Sequence, residues 1–319
     1  MADLSVRVGS LSLRNPVMPA SGCFAVEYSE ALDFSRLGAL VIKSVSPKSR
    51  SGNPTPRVAE VRGGMLNSIG IPSKGLAAYL QQVLPAYLGF GTPVVVSLSA
   101  DTVAEFAAAV QVLSRPGVAA IEANISCPNL EADGMAFAMQ ARSTHDAISA
   151  MRRSTTLPLW AKLTPNAGDV AAIARAAEAA GADAIVMGNT ALGMAIDVRT
   201  RRPLLGNGMG GLSGPALKPI ALRMTYQCAR AVRIPVIGCG GIATAEDAVE
   251  FMLAGATAVQ VGTASFLDPG VMHRITDGLQ AYCEAHGVER AADLVGAVQM
   301  DGPDQQAWRD QLARMAPAA

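Results

Sequence analysis

Apolar positions gather into eight short runs along the chain, at 15–20, 39–43, 93–98, 119–124, 158–163, 183–188, 235–239 and 257–262. Runs of this length and continuity suit strands covered on both faces, as in a parallel sheet. Between them the period changes: Val103, Phe106, Ala107, Val110 and Leu113, or Val170, Ile173, Ala174 and Ala177, share one face of a helix. A helix between consecutive strands forces parallel, right-handed crossovers. Eight such units predict an α/β protein folded as a (β/α)8 TIM barrel.

The junctions support that reading. Leu37-Gly38-Ala39, Ala180-Gly181-Ala182 and Ala254-Gly255-Ala256 each join a helical pattern to an apolar strand, with glycine expected in the left-handed conformation that closes a helix. Other strands open on proline, at Pro93, Pro158 and Pro235. Three stretches following strands, about 44–74, 125–142 and 190–216, exceed usual βα loop lengths. In a closed barrel they gather over the C-terminal face, where active sites are built. No linker or composition shift divides the chain, so residues 1–319 are expected to form a single domain, with 301–319 a tail of unassigned role.

Composition narrows the function. Residues are 50% hydrophobic but only 4% aromatic, so the core must be aliphatic, as buried parallel strands require. Lys plus Arg balances Asp plus Glu at 26 each without a basic block, which argues against nucleic acid or an anionic membrane surface and for a small-molecule substrate. Asp3, Arg7 and Arg14 interrupt any signal-like apolar stretch, and no membrane-spanning run follows; a cytoplasmic protein is expected. Cys23, Cys127, Cys228, Cys239 and Cys283 lie far apart, as do His145, His273 and His286, so neither a disulfide framework nor a metal site is indicated.

The strand ends carry the candidate chemistry: Ala20-Ser21-Gly22, Lys43-Ser44, Ser97, Asn124, Lys162, Asn189-Thr190, Gly240-Gly241 and Gly262-Thr263. Any single Ser or Thr there is most simply the point where burial stops. Lys43 and Lys162 differ, because an ammonium in the barrel mouth needs an anionic partner. Glycines ending the seventh and eighth strands occupy the usual phosphate position of such barrels. By contrast, Gly206, Gly208 and Gly211 match GxGxxG but follow the sixth strand in a long loop with no ribose-binding acid about 20 residues on, so a flexible glycine loop is expected rather than a dinucleotide fingerprint. The densest polar cluster is Asn124-Ile125-Ser126-Cys127-Pro128-Asn129. A cysteine in such a loop can serve as base or nucleophile.

That hexapeptide resembles the base-bearing motif of the class 1 dihydroorotate dehydrogenases, and similarity runs in consistent order over about residues 5–300. It includes Asn15-Pro16-Val17, Gly52-Asn53-Pro54, Gly64-Met65-Leu66-Asn67-Ser68-Ile69-Gly70, Lys162-Leu163-Thr164-Pro165-Asn166, Gly210-Gly211-Leu212-Ser213-Gly214 and Val259-Gln260-Val261-Gly262-Thr263. The pattern is most similar to the class 1B, NAD-linked catalytic subunit. The resemblance implies FMN as cofactor, dihydroorotate as substrate and a place in de novo pyrimidine (UMP) biosynthesis. Cys127 would take the proton from C5 while hydride leaves C6 for the flavin.

By the same similarity Lys43, Asn67, Ser68, Ile69, Gly70, Ile71, Asn124, Asn129, Asn189 and Thr190 would surround the substrate. Ala20, Ser21, Gly22, Lys43, Ser44, Ser97, Asn124, Lys162, Gly214, Gly240, Gly241, Gly262 and Thr263 would hold FMN. Residues 128–142 would form a lid. The class implies a homodimer and a partner subunit with FAD and an iron–sulfur cluster. Several positions depart from the pattern: Ser97 stands for a flavin-bonding Asn, Ala100 for a glycine, Ala25 and Val26 interrupt a glycine-rich stretch, and Asp133 and Ala138 replace lid glycines. Taken alone, the residues also fit a flavin barrel acting on another dihydropyrimidine, a non-redox phosphate-binding barrel, or a non-catalytic scaffold.

Overall fold

The computed structural model describes residues 1–126, 136–300, 307 and 310. Its centre is eight parallel strands: Val17–Pro19 (β1), Leu40–Val45 (β2), Val94–Leu98 (β3), Val118–Asn124 (β4), Leu159–Lys162 (β5), Ala184–Met187 (β6), Val236–Cys239 (β7) and Ala256–Val261 (β8). They pair in the order β1-β8-β7-β6-β5-β4-β3-β2. The ring closes where the Gly38 N–H donates to the Val17 carbonyl at 2.9 Å. The chain is thus a (β/α)8 TIM barrel, with strands where the apolar runs predict them.

Alternation along each strand divides two cores. Met18, Val41, Val95, Ala120, Trp160, Val186, Ile237 and Ala258 point into the barrel. Val17, Leu40, Ile42, Val96, Ile121, Leu159, Ile185 and Val259 point outward, into the layer of helices. That layer contains Val103–Leu113 (α1), Ala141–Arg152 (α2), Val170–Ala179 (α3), Lys218–Ala231 (α4), Ala245–Leu253 (α5) and Val271–Ala285 (α6). Polar caps start several of them: Thr102 accepts from the Glu105 N–H, Asp169 from the Ala172 N–H, and Thr244 and Asp247 form a reciprocal capping box. Among the described residues no helix is long and apolar enough to cross a membrane.

The structure corrects three sequence expectations. No α-helix joins β1 to β2; two 3-10 turns, Val26–Glu30 and Phe34–Arg36, fill that place. Gly38 accordingly ends no helix. Gly181 and Gly255 do take positive φ, at 94° and 111°, but Gly38 is required by a close approach, since a Cβ there would lie 2.2 Å from the Asn15 carbonyl oxygen. Gly38→Ala is therefore expected to cost about 1–3 kcal/mol by forcing β1 and β2 apart, read as a lower urea midpoint; an unchanged midpoint would show that the seam adjusts freely.

Finally, the long stretches after β2 and β6 are not simple loops. Val58–Val61, Gly64–Asn67, Gly210–Ser213 and Ala191–Gly193 form a four-stranded antiparallel sheet over the C-terminal face. Gly210 and Gly211, part of the glycine-rich stretch, belong to this sheet because their neighbours leave no room for a side chain. A Cβ at Gly210 would meet the Asn67 carbonyl oxygen at 2.4 Å and one at Gly211 would meet Thr190 Oγ1 at 1.8 Å. At the opposite end the hairpin Val6–Val8 and Leu11–Leu13 plugs the barrel with Val6, Val8 and Leu13.

Candidate active site

Two residues beyond each inward apolar side chain, the alternation delivers another inward position nearer the mouth. From the eight strands these are Ala20, Lys43, Ser97, Glu122, Lys162, Gly188, Cys239 and Gln260. Hydrophobic filling gives way to polar groups within a single layer. Ala20, Lys43, Ser97 and Lys162 among the strand-end residues expected from the sequence meet here, and Glu122 and Gln260 join them from inside apolar runs.

Lys162 sits at the centre of this layer. It is 4% exposed, and its Nζ donates to Gln260 Oε1 at 3.2 Å, Ser21 Oγ at 3.3 Å and Glu122 Oε1 at 3.4 Å. Gln260 turns its amide to Glu122, Nε2 donating to Oε2 at 2.7 Å. Burial is the largest influence and would drive the ammonium toward neutrality, but the surrounding groups, Glu122 foremost, together raise the Lys162 pKa. The nearby Cys23 thiol is pushed up to about 12 by burial, and Cys239 is raised for the same reason, so both stay neutral. The anion expected beside Lys162 is thus a carboxylate of the protein itself.

Lys43 presents the opposite case. It shares its face of β2 with inward-pointing Val41, is exposed, and makes no ion pair among the described residues. Partial burial lowers its pKa. An unpaired cation at the barrel mouth is set for an anionic ligand.

A run of side-chain hydrogen bonds crosses the same face. Ser97 and Ser44 share a 2.8 Å bond, Asn124 Nδ2 donates to Ser44 Oγ at 3.2 Å, and Ser126 Oγ donates to Asn124 Oδ1 at 2.6 Å. Asn189 Nδ2 donates to Ser126 Oγ at 2.6 Å, while its Oδ1 accepts from the Thr190 N–H at 2.8 Å. Ser97 has no exposed surface and spends its hydroxyl on Ser44. In this arrangement it braces Ser44. Sequence reasoning had not singled out Ser126 as the bridge between two asparagines.

The segment 67–71 borders the site from the cover sheet. Asn67 Nδ2 donates to the Gly211 carbonyl at 3.4 Å, and Ser68 Oγ accepts from Asn53 at 2.7 Å. Gly70 and Ile71 both have positive φ, 76° and 48°. For a β-branched residue such as Ile71 this is a strained conformation, and the preceding residues 68–69 are tied to the 51–57 loop by the Asn53 N–H donating to the Ile69 carbonyl at 3.1 Å and the Ser68 N–H to the Arg57 carbonyl at 2.8 Å. Arg57 braces that loop by donating to the Asn53 and Ser51 carbonyls at 2.5 and 3.0 Å.

Glycines line the far end. Gly22, Gly214, Gly240 and Gly241 have positive φ, at 83°, 92°, 137° and 75°. A Cβ on Gly240 or Gly241 would come within 2.7 Å of Ala221 or Lys218 in the first turn of α4, whereas one on Gly22 would meet nothing within 4 Å. At Gly262 the nearest atom, Cys23 Sγ, would be an ordinary 3.4 Å away, so packing alone does not demand glycine. The N–H groups of Gly240, Gly241, Gly262 and Thr263 donate to no backbone carbonyl among the described residues, and Ser265 Oγ is buried without a partner. These orphan donors around an open cradle fit a phosphate. Lys218 is not available to it, being held by Asp247 at 2.6 Å and Glu250 at 3.0 Å.

Cys127 and Asn129 lie outside the described residues, but the chain on either side is firmly placed. Ile125 and Ser126 are buried before them; afterwards the Ala138 N–H donates to the Ile125 carbonyl at 3.0 Å, and Ser143 and Thr144 hydroxyls donate to the Phe137 carbonyl at 2.7 and 3.1 Å. Phe137 also packs edge-on against Phe106. Of the expected 128–142 lid, residues 128–135 lie outside the described residues, and the described part is tied to the barrel through Phe137 and Ala138.

The buried lysine, the hydrogen-bonded amides and hydroxyls and the glycine turns gather at the C-terminal end of the strands, where barrel enzymes build their active sites. Residues 3–283 match the family described as dihydroorotate dehydrogenase, and the chain belongs to that family. A curated relative from Geotalea uraniireducens, the catalytic subunit of dihydroorotate dehydrogenase B (NAD(+)), is 49% identical over 93% of this chain and 98% of its own length. The protein of the same description from Bacteroides thetaiotaomicron is 45% identical over 94% and 100%. The fold is shared with a crystal structure of DHODH in complex with ferulenol from Eimeria tenella, at a TM-score of 0.77, 23% identity and coverage of 92% of this chain and 88% of that one.

Proposed function

We propose that this chain oxidises dihydroorotate to orotate with FMN as its cofactor and Cys127 as its base, and passes the electrons to NAD through a partner subunit. The observation that carries the reading is the assembly of Lys162, the Ser44–Asn124–Ser126–Asn189 ladder and the orphan N–H groups of the 240–241 and 262–263 turns at one end of the barrel. Bound FMN would supply the hydride acceptor. The glycine turns and Thr263 would hold its phosphate, and Ala20, Ser21, Gly22, Ser44 and Lys162 would border its ring.

The protein's own part is to place the substrate and move one proton. Amides both donate and accept, so Asn67, Asn124, Asn189 and, by the family pattern, Asn129 can read a ring of alternating carbonyl and N–H groups. Ser68, Ile69, Gly70 and Ile71 would shape the pocket wall, and Thr190 and Lys43 would complete its polar contacts. Ionised Cys127 would accept the proton leaving C5 as the C6 hydride departs, so that the C5–C6 bond becomes double and charge balances.

The relatives' name, the catalytic subunit of an NAD(+)-linked enzyme, supports a partner that carries electrons onward. Leu192 and Val198, 64% and 85% exposed, lie with exposed Met194, Ile196 and Met209 on the excursion after β6. Such a patch fits burial against another subunit, and a homodimer is part of the reading. A cytoplasmic location is likewise part of it.

The test is anaerobic mixing. The purified chain should be yellow, should bleach with dihydroorotate but not with dihydrouracil, and should reduce NAD only when its partner is added. Colourless protein, or bleaching by dihydrouracil alone, would overturn the assignment; NAD reduction by the lone chain would remove the partner.

A further inference from the structure

Lys162 carries a feature that the reading above does not use. Its ammonium has three protons, and the protein offers three acceptors: Gln260 at 3.2 Å, Ser21 at 3.3 Å and Glu122 at 3.4 Å. Two of these, Glu122 on β4 and Gln260 on β8, belong to the barrel wall and are bonded to one another through Gln260 Nε2 and Glu122 Oε2 at 2.7 Å. Ser21, by contrast, lies beyond β1 on the loop at the mouth and is partly exposed. Glu122 has no exposed surface, so its carboxylate can touch no substrate or cofactor in this arrangement. A fully buried carboxylate is costly unless it is paired and hydrogen-bonded.

We propose that Glu122, steered by Gln260, is a positioning residue for the redox reaction: it holds Lys162 charged and fixed from behind, leaving the contact to Ser21 as the one exchanged for a bound flavin. This rests on the flavin reading of the site. The groups facing Lys162 are Glu122 from β4, Cys239 from β7, Cys23 and Ser21 from the loop after β1, and Gln260 from β8. Both thiols are raised by burial and stay neutral, which leaves Glu122 as the counter-charge.

Removing that charge gives Lys162 a new titration. With Glu122→Gln the largest influence opposing burial is gone, and the ammonium should deprotonate below the ordinary lysine value of 10.5. The unfolded chain then holds more protons than the folded one between the two values, so the stability of Glu122→Gln should rise with pH across that window. Wild type behaves oppositely. Its raised Lys162 contributes stability that is complete below the unfolded value and is lost only as pH climbs through the folded one.

The experiment has two readouts on the full chain. Urea midpoints of FMN-free protein against pH should climb toward alkaline pH for Glu122→Gln but not for wild type, nor for Glu122→Gln in a Lys162→Met background. In the FMN-loaded protein the flavin midpoint potential against pH should acquire a break at the same pH, again absent when Lys162 is Met. Should Glu122→Gln fail to fold, Gln260→Met serves: it keeps both charges but frees their orientation, and should weaken FMN binding about tenfold, the worth of one hydrogen bond to a charged group. Parallel pH profiles for Glu122→Gln and wild type, or unchanged FMN binding by Gln260→Met, would overturn the proposal. A chain that shows the stability climb but binds no FMN would instead refute the flavin reading.

Discussion

Cys127→Ala should keep FMN and slow its anaerobic reduction by dihydroorotate by about 10²–10⁴-fold, the range usual for loss of a positioned general base. Substrate binding should change far less, because the groups that would read the ring lie on other residues. The expectation draws on how the neighbouring chain is held. Ser126, one residue before Cys127, is bonded on one side to Asn124 and on the other to Asn189, each at 2.6 Å. Stopped-flow bleaching of the loaded protein is the direct measurement. Bleaching at the wild-type rate would remove Cys127 from the mechanism and shift the base to another group at the mouth.

Periodicity made the barrel readable. Each of the eight apolar runs became a strand, because strands covered on both faces need apolar residues at nearly every position and the sequence supplies them. The first crossover was not readable in this way. Residues between β1 and β2 pack well, with Phe24, Leu32 and Phe34 buried, but the two 3-10 turns among them are too short to show a helical period. The cover sheet was hidden for a related reason: its strands are three or four residues long, and Gly210 and Gly211 read as loop until their neighbours are known.

The site divides along similar lines. Polar residues that end apolar runs, such as Lys43, Asn124 and Lys162, announce themselves. Glu122 and Gln260 do not, since each lies within a run and only the register of alternation shows that it faces inward. Yet the signal was present in Val118-Ala119-Ala120-Ile121-Glu122-Ala123-Asn124, where a lone acid two positions before an inward Asn must share its face. Reading that acid as the counter-charge of Lys162 would have replaced the external anion inferred for both lysines by one for Lys43 alone.

The pairing of those two residues makes the second large effect computable. Lys162→Met removes the cation with little change in volume and strands the Glu122 carboxylate in the barrel, 0% exposed, with only the Gln260 amide to satisfy it. Breaking one side of a buried pair costs about 3–5 kcal/mol, and the FMN-free chain should show this as a sharply lowered urea midpoint. Adding Glu122→Gln to Lys162→Met should restore much of the loss, because the double variant buries no net charge and its amide can still pair with Gln260. The four proteins form a double-mutant cycle whose coupling separates the pair from the packing around it. Flavin affinity should not follow stability: it should stay low in the double variant, since the cation facing the cofactor is gone in both. Additive losses across the cycle would show that the two charges act independently despite their proximity, and recovery of FMN binding with stability would deny Lys162 any role toward the cofactor.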